Sequence, residues 1–325
     1  MEIKQIFLNY ITASTYSMRR VVHDMDMALE LYRKLGFVCR PPAYPTMAEQ
    51  DGESPKPFGA ANAHIDFADN FIEIVTIVQE GGRIPDDAHF IPLTAPPAVL
   101  PRIIASIKRT VATISRCLDR FEGTHILVFS TSESAISAAR LDTGRVGHGG
   151  VNTIQRPVET STGTQLVPVR LLEIEDEQVS EGRLAFAENL PLDTGLKQIH
   201  TDHPNGAIEL VEAILCVEDG EFDAYVTRYQ LYSGTPPELE GKACVFDLGG
   251  GRIMIMPESH ITDLLPGEVF TSSPGFAGYA VKVRDLAFTR LHLESNGFPV
   301  VETARGDICV PSASLLGTAL IFTER

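Results

Sequence analysis

Residues 17–37 read S-M-R-R-V-V-H-D-M-D-M-A-L-E-L-Y-R-K-L-G-F, which is a short strand, a helix and a glycine stop in one line. Asp24 stands where a side-chain oxygen caps a helix, and Ala28, Leu31 and Leu35 recur at helical spacing. Gly36 closes the helix and Phe37 opens the next strand. Residues 278–298, G-Y-A-V-K-V-R-D-L-A-F-T-R-L-H-L-E-S-N-G-F, repeat the plan, with Gly297 twelve residues after Asp285 just as Gly36 follows Asp24. A third copy spans 125–144, H-I-L-V-F-S-T-S-E-S-A-I-S-A-A-R-L-D-T-G, with Ser132 as cap and the same interval to Gly144. A fourth begins at 212, E-A-I-L-C-V-E-D-G-E-F-D, with Asp219 as cap and a later glycine, Gly234, so its helix is longer or ends differently.

Each helix is followed by runs that read as strands: 38–43, 60–68 and 70–78; then 152–159, 164–174 and 183–189; then 242–248 and 252–256; then 298–303, 306–310 and 317–324. The repeating unit is strand, helix, three strands. Alone it leaves one sheet face bare, so units pair to close a cupped sheet. The expected architecture is an α+β fold of four βαβββ modules paired into two cupped mixed β-sheets. An N-terminal domain, 1–205, carries an insert at 81–122, and a C-terminal domain covers 206–325. The insert holds the proline-rich I-P-L-T-A-P-P-A-V-L-P and then a helix over 102–120 with Ile103, Ile107, Val111, Ile114 and Leu118 on one stripe. Its Lys108, Arg109, Arg116 and Arg120 read either as an anion surface or, preferably on so acidic a chain, as a solvated face. Residues 191–207 form a turn-rich connector.

The bulk properties narrow the function. A length of 325 residues fits about two domains. With 27 basic against 43 acidic residues, the net charge of −16 repels phosphate backbones and anionic lipid, which argues against nucleic acid and membrane as partners. No apolar run approaches the roughly 18 residues needed to cross a bilayer. Met1-Glu2-Ile3-Lys4 lacks the order of a secretory signal. Five scattered cysteines without a C-x-x-C read as reduced thiols and a cytoplasmic location. No phosphate-cradling glycine motif and no G-x-S-x-G is found, so a nucleotide cofactor is not indicated. The expected partner is a small-molecule substrate, with a second copy of the chain as a further candidate.

The unit with V-H-D at 22–24 and Y-R-K-L-G-F at 32–37 resembles the vicinal-oxygen-chelate superfamily, which includes glyoxalases, bleomycin-resistance proteins and extradiol dioxygenases. Ala61-Asn62-Ala63 ahead of Phe71-Ile72-Glu73-Ile74-Val75, and the turn His203-Pro204-Asn205-Gly206-Ala207, point to its glyoxalase-like domain branch. The resemblance covers nearly the whole chain except 81–122. It speaks strongly for the fold and weakly for the reaction, because this scaffold hosts many chemistries.

In that superfamily metal ligands come from the first and last strands of paired modules. The first-strand position, seven residues before each cap, falls on Ser17, His125, Glu212 and Gly278; the last-strand position falls on Glu73, Glu188, near Met254 and on Ile321. The resemblance therefore implies a metal site of Glu73, His125 and Glu188 in the N-terminal half, with Glu212 alone in a degenerate C-terminal half. One histidine with two carboxylates departs from both the dioxygenase and the four-ligand glyoxalase patterns, and leaves Zn, Mn, Fe, Ni or Mg open as the divalent ion. The implied activity is that of a lyase or isomerase. The metal chelates vicinal oxygens of a small substrate and stabilises an enediolate-like anion, while Glu188 or Glu73 shuttles a proton. The alternatives are a non-catalytic binding or resistance protein, and an extradiol-type dioxygenase whose second histidine is His64 or lies in the connector.

The residues carry their own argument. Glu73 in F-I-E-I-V is a carboxylate inside an apolar strand, costly unless paired, hydrogen-bonded or metal-bound. It reads equally as an ion-paired residue on a wet concave face. His64 shares a face with Asp66 in A-H-I-D-F, and is a substitute ligand, a proton carrier or simply a hydrogen-bonded histidine. His200 and His203 belong to a structural turn with Pro204-Asn205-Gly206, and His23 is structural. Arg156, Arg170 and Arg183 are candidates for an anionic substrate.

Overall fold

A computed structural model describes residues 16–48, 54–93, 96, 98–160, 163–189 and 202–325, with only the backbone described for 155–160 and 163–166. In chain order the first module is β1 (Ser17–Val21), α1 (Met25–Lys34), β2 (Ala43–Met47), β3 (Lys56–Pro57), β4 (Ala60–Asp66) and β5 (Phe71–Ile77). The insert adds β6 (His89–Pro92) and α2 (Leu100–Arg120). The second module is β7 (Gly123–Ser130), α3 (Ser134–Thr143), β8 (His148–Thr160), β9 (Gly163–Ile174) and β10 (Arg183–Asn189). The third is β11 (Ala207–Val217), α4 (Phe222–Ser233), β12 (Glu238–Glu240), β13 (Ala243–Asp247) and β14 (Arg252–Pro257), followed by the one-turn α5 (Ile261–Leu264). The fourth is β15 (Gly275–Val283), α6 (Leu286–Ser295), β16 (Val301–Glu302), β17 (Ile308–Val310) and β18 (Ala319–Thr323).

The strand pairing recurs with each module. The first strand runs parallel to the last, as β1 with β5, β7 with β10, β11 with β14 and β15 with β18. First strands then join antiparallel, β1 to β7 and β11 to β15, merging modules into two mixed sheets. Their orders are β3-β2-β4-β5-β1-β7-β10-β9-β8, with β6 on β2, and β12-β13-β14-β11-β15-β18-β17-β16. One continuous core draws Met18, Leu127 and Phe129 from the first sheet, Tyr279, Val281 and Phe322 from the second, and Tyr32 and Tyr229 from α1 and α4. Each such buried side chain contributes roughly 1.5–3 kcal/mol.

Asp24 and Asp285 cap α1 and α6, accepting from the amides of Met27 at 3.0 Å and Phe288 at 2.8 Å. The other two expected caps need correction. Helix α3 starts at Ser134 behind Glu133, two residues after Ser132, and Ser132 caps nothing there. Asp219 opens a 3₁₀ turn, and its Oδ1 accepts from the Ser259 amide at 3.0 Å. Two strand expectations also shift, because 38–43 pairs only from Ala43 onward and 298–303 shrinks to Val301–Glu302. In the connector, Asn205 Nδ2 donates to the Leu35 carbonyl at the end of α1, and His203 Nδ1 accepts from the Val38 amide. His203 thus ties the connector to the first module, while His200 lies outside the described residues. All five cysteines are free thiols. No helix of the described residues is long and apolar enough to cross a membrane.

Candidate functional site

The first sheet's concave face is covered by α2, and a cavity of about 510 Å³ lies between them. Helix α2 starts with Pro101 in its first turn, where the missing amide costs nothing. Ile103 and Ile107 pack on Met47, and Ile114 and Cys117 on Val21 and Val75. Gly59 makes the close approach possible: it sits at φ +91°, and a Cβ there would stand 2.6 Å from Ile107 Cγ2. At the far end Arg120 donates to the carbonyls of Ser180, Ser272 and Pro274, pinning the cover to both halves of the chain.

The cavity floor is charged. Period-2 alternation puts Arg19 of β1 on the cup face, and the parallel register sets it opposite Glu73 of β5. Both are 3% exposed. Arg19 Nε donates to Glu73 Oε2 at 2.5 Å, and Asn62 Nδ2 donates to Oε1 at 2.8 Å. His64, the antiparallel partner of Glu73 on β4, brings Nε2 to 3.8 Å from Oε1. Burial pushes the Glu73 carboxyl up, but Arg19, His64 and Asn62 outweigh it and hold the group down at about 2. The walls are mostly apolar, with Val75, Ile126, Val128, Leu171 and Ala185 among them, and also include the carboxylates Glu173 and Glu175. Arg183 reaches the cavity but is bound to Glu173, its Nε donating to Oε1 at 2.9 Å.

The structure does not bring the three expected metal ligands together. Glu73 lines the cavity, whereas His125 and Glu188 do not. A β-bulge is the reason for His125: Arg19 pairs with Ile126 and Arg20 with Thr124, leaving His125 the unmatched residue. Its ring lies against Phe121 at 4.2 Å between centroids, and Nε2 donates to the Phe121 carbonyl at 2.7 Å. Burial, with lesser help from Arg120 and Arg20, lowers its pKa to about 4, so it is neutral near pH 7. Glu188 serves α3 instead. Oε2 accepts from the Ser134 amide at 2.9 Å and hydroxyl at 2.6 Å, and Oε1 accepts from Arg170 at 2.9 Å. It does the capping expected of Ser132, because an anion at a helix N-terminus satisfies an otherwise orphaned amide. These contacts overcome the upward push of burial and hold its carboxyl below the usual range.

Both Glu73 oxygens are therefore engaged, and no group of three His, Cys, Asp or Glu side chains among the described residues is placed to hold a metal ion. The described donors do not fit the divalent ion that the resemblance implies. Arg19 is the residue that reading the sequence misses, and its signal is the pair of arginines inside the buried strand S-M-R-R-V.

A protein-family model and two solved structures agree on the fold. A protein-family model described as "Glyoxalase-like domain" matches residues 20–231. No curated protein matches the chain. Among solved structures, a hypothetical protein from Staphylococcus aureus superposes with a TM-score of 0.55 at 10% identity, over 94% of this chain and 97% of that one. A variant of 4-hydroxymandelate synthase from Streptomyces coelicolor gives 0.54 at 14% identity, over 96% and 91%. The Mn(II)-bound glyoxalase from Novosphingobium aromaticivorans gives 0.47 at 9% identity, over 95% and 80%. With the family match spanning most of the chain and the strand order in place, this protein belongs to the glyoxalase-like domain family, of vicinal-oxygen-chelate fold.

Proposed function

We propose that the chain binds a small organic molecule in the covered cup of its N-terminal sheet. The observation that carries this reading is the 510 Å³ cavity, which has mostly apolar walls and a few fixed polar groups on its floor. That size falls within the roughly 300–1,000 Å³ of small-molecule sites, and an apolar box with convergent polar groups is their usual make-up. Arg19 and Glu73 are buried and mutually held, so they form a fixed charged floor that a ligand meets without rearrangement. The test is a thermal-shift screen of small organic compounds against wild type and Thr110→Trp, in which the indole enters the cavity from α2. Hits that raise Tm in wild type and lose their effect in the variant support the site. Hits that persist unchanged in the variant overturn it.

Lyase or isomerase chemistry on vicinal oxygens is a second reading, favoured by the ionised Arg19–Glu73 pair at the cavity floor with His64 beside it. In this reading Arg19 stabilises a developing oxyanion at the cavity floor, and His64, outside the cavity lining but 3.8 Å from Glu73, carries a proton. Glu73, held at about 2, is a weak base near neutral pH. A metal-dependent form of this chemistry requires Glu73 to exchange Arg19 for a cation. Titration calorimetry with Mn²⁺ tests that form: a binding heat that vanishes in Glu73→Gln supports it, and the same heat in both proteins, or none in either, rejects it.

A further inference from the structure

We infer that Arg109 selects the charge of the ligand: the cavity takes a molecule with an apolar body and one anionic group, a carboxylate, sulfonate or phosphate, seated under α2. The inference rests on the reading that the cavity binds a small molecule, and it names the class. Three arginines line the space, and two are committed: Arg19 to Glu73 and Arg183 to Glu173. Arg109 lines the cavity, and its exposed guanidinium makes no hydrogen bond or ion pair among the described residues. Its neighbours on the same face are Ser106, Thr110 and Thr113, spaced three and four residues apart as a helix requires for one stripe.

The hydroxyls of this stripe divide by role. Thr110 Oγ1 donates to the Ser106 carbonyl at 3.3 Å and Thr113 Oγ1 to the Arg109 carbonyl at 3.1 Å, so both threonine hydrogens are spent on the helix. Ser106 makes no such side-chain bond among the described residues, which leaves its hydroxyl and the Arg109 fork as the donors on this face. Two donors one turn apart, roofing an apolar chamber, match one anionic group attached to an apolar body. A neutral ligand of the same shape fills the chamber but forgoes a charge-assisted hydrogen bond, the stronger kind.

The test uses two fluorescent probes that share a ring body, anilinonaphthalene sulfonate and the uncharged phenylnaphthylamine. Wild type is expected to bind the sulfonate about tenfold more tightly than the amine, the size of one charge-assisted contact. Arg109→Gln should erase that preference by weakening the sulfonate about tenfold while leaving the amine unchanged, and Arg109→Lys should restore part of it. Thr110→Trp should abolish both. This substitution introduces the chain's only tryptophan, and a blue-shifted emission will report that the indole is seated in the cavity. If Arg109→Gln leaves the sulfonate untouched, or weakens both probes alike, the inference fails while the cavity reading stands. If the Thr110→Trp indole is seated and both probes still bind, the cavity reading itself fails.

Discussion

The two cups of this molecule carry an ion pair between the same two strands with its charges exchanged, buried on both sides in the first cup and open on the arginine side in the second. In the N-terminal sheet the arginine is on the first strand and the glutamate on the last, as Arg19 opposite Glu73. In the C-terminal sheet the glutamate is on the first strand and the arginine on the last, as Glu212 opposite Arg252, with Arg252 Nη2 donating to Glu212 Oε2 at 2.7 Å. From that shared register the cups diverge. Glu212 has a second cation, Arg305 at 3.1 Å, and both arginines also hold Glu240. Ile261 and Leu264 of α5, with Leu265, are buried in an apolar cluster with Met254, Met256 and Ile321. Only about 240 Å³ remains beside the charged network. The N-terminal cup has a cover standing off its floor, whereas the C-terminal cup has a segment packed into it. One strand scaffold thus yields a chamber or a plugged core according to the segment attached to its open face.

The largest expected effect would separate the two ion pairs. Glu73→Ala removes the carboxylate partner of Arg19 where both side chains are 4% exposed, and loss of one partner of a buried pair costs about 3–5 kcal/mol. Glu212→Ala should cost about half of that figure, because the Arg252 and Arg305 side chains are 40% and 18% exposed and keep Glu240. Urea denaturation measures both, and equal losses would erase the distinction between the cups. Next comes pH. The Glu73 carboxyl drops from its ordinary 4.5 to about 2 on folding, so its stabilisation is full above 4.5 and is lost as pH falls toward 2. That loss amounts to about 3 kcal/mol, and Glu73→Gln should start less stable and stay flat across the same window. His125 acts one window higher. Lowered from 6.5 to about 4, it favours the folded state in its neutral form, and that contribution fades as pH falls from 6.5 toward 4. His125→Leu should remove this slope and leave the lower one intact.

Packing gives the third contrast. Leu265→Ala opens a void in a filled cup and should cost about 3 kcal/mol, whereas Ile126→Ala only widens an existing chamber and should cost about 1–2 kcal/mol. Chemical denaturation of the two variants checks this, and a reversed order would mean that the N-terminal cup is not open. The smallest effect is that of Arg109→Gln, expected within about 0.5 kcal/mol of wild type because the side chain is exposed and unpaired among the described residues. A large loss in a thermal melt would show that Arg109 supports the fold.

Much of the fold is legible in the sequence because its signals are local. Asp24 and Asp285 announce helix starts within one turn, Gly36 and Gly297 announce their ends, and F-I-E-I-V reads as a strand by composition and alternation. The same locality misleads at Ser132 and Asp219. Each is a good cap in isolation, but α3 takes its acceptor from Glu188, 54 residues away, and Asp219 serves Ser259. Glu73 reads as a residue needing a partner, and the cup where it lies is the one containing the cavity. The arginine that answers it stands 54 residues earlier, and its neighbour Arg20 shows why proximity in sequence says little. Alternation sends Arg20 to the opposite face, where it donates to the Leu315 and Leu316 carbonyls and lies 5.4 Å from the Tyr279 ring.

By itself, then, the sequence determined the repeating strand–helix–strand unit, the pairing of units into cups and the identity of the costly carboxylate. Caps, alternation and turn residues act between neighbours a few positions apart, and each module repeats them. Tertiary structure alone decided what neutralises that carboxylate, where His125 points and which cup stays open. Those outcomes depend on strand register, on a single bulge between β1 and β7, and on where α2 and α5 come to rest. Shifting the register or the bulge by one residue moves a side chain to the other face of the sheet, so only the packed whole selects among them.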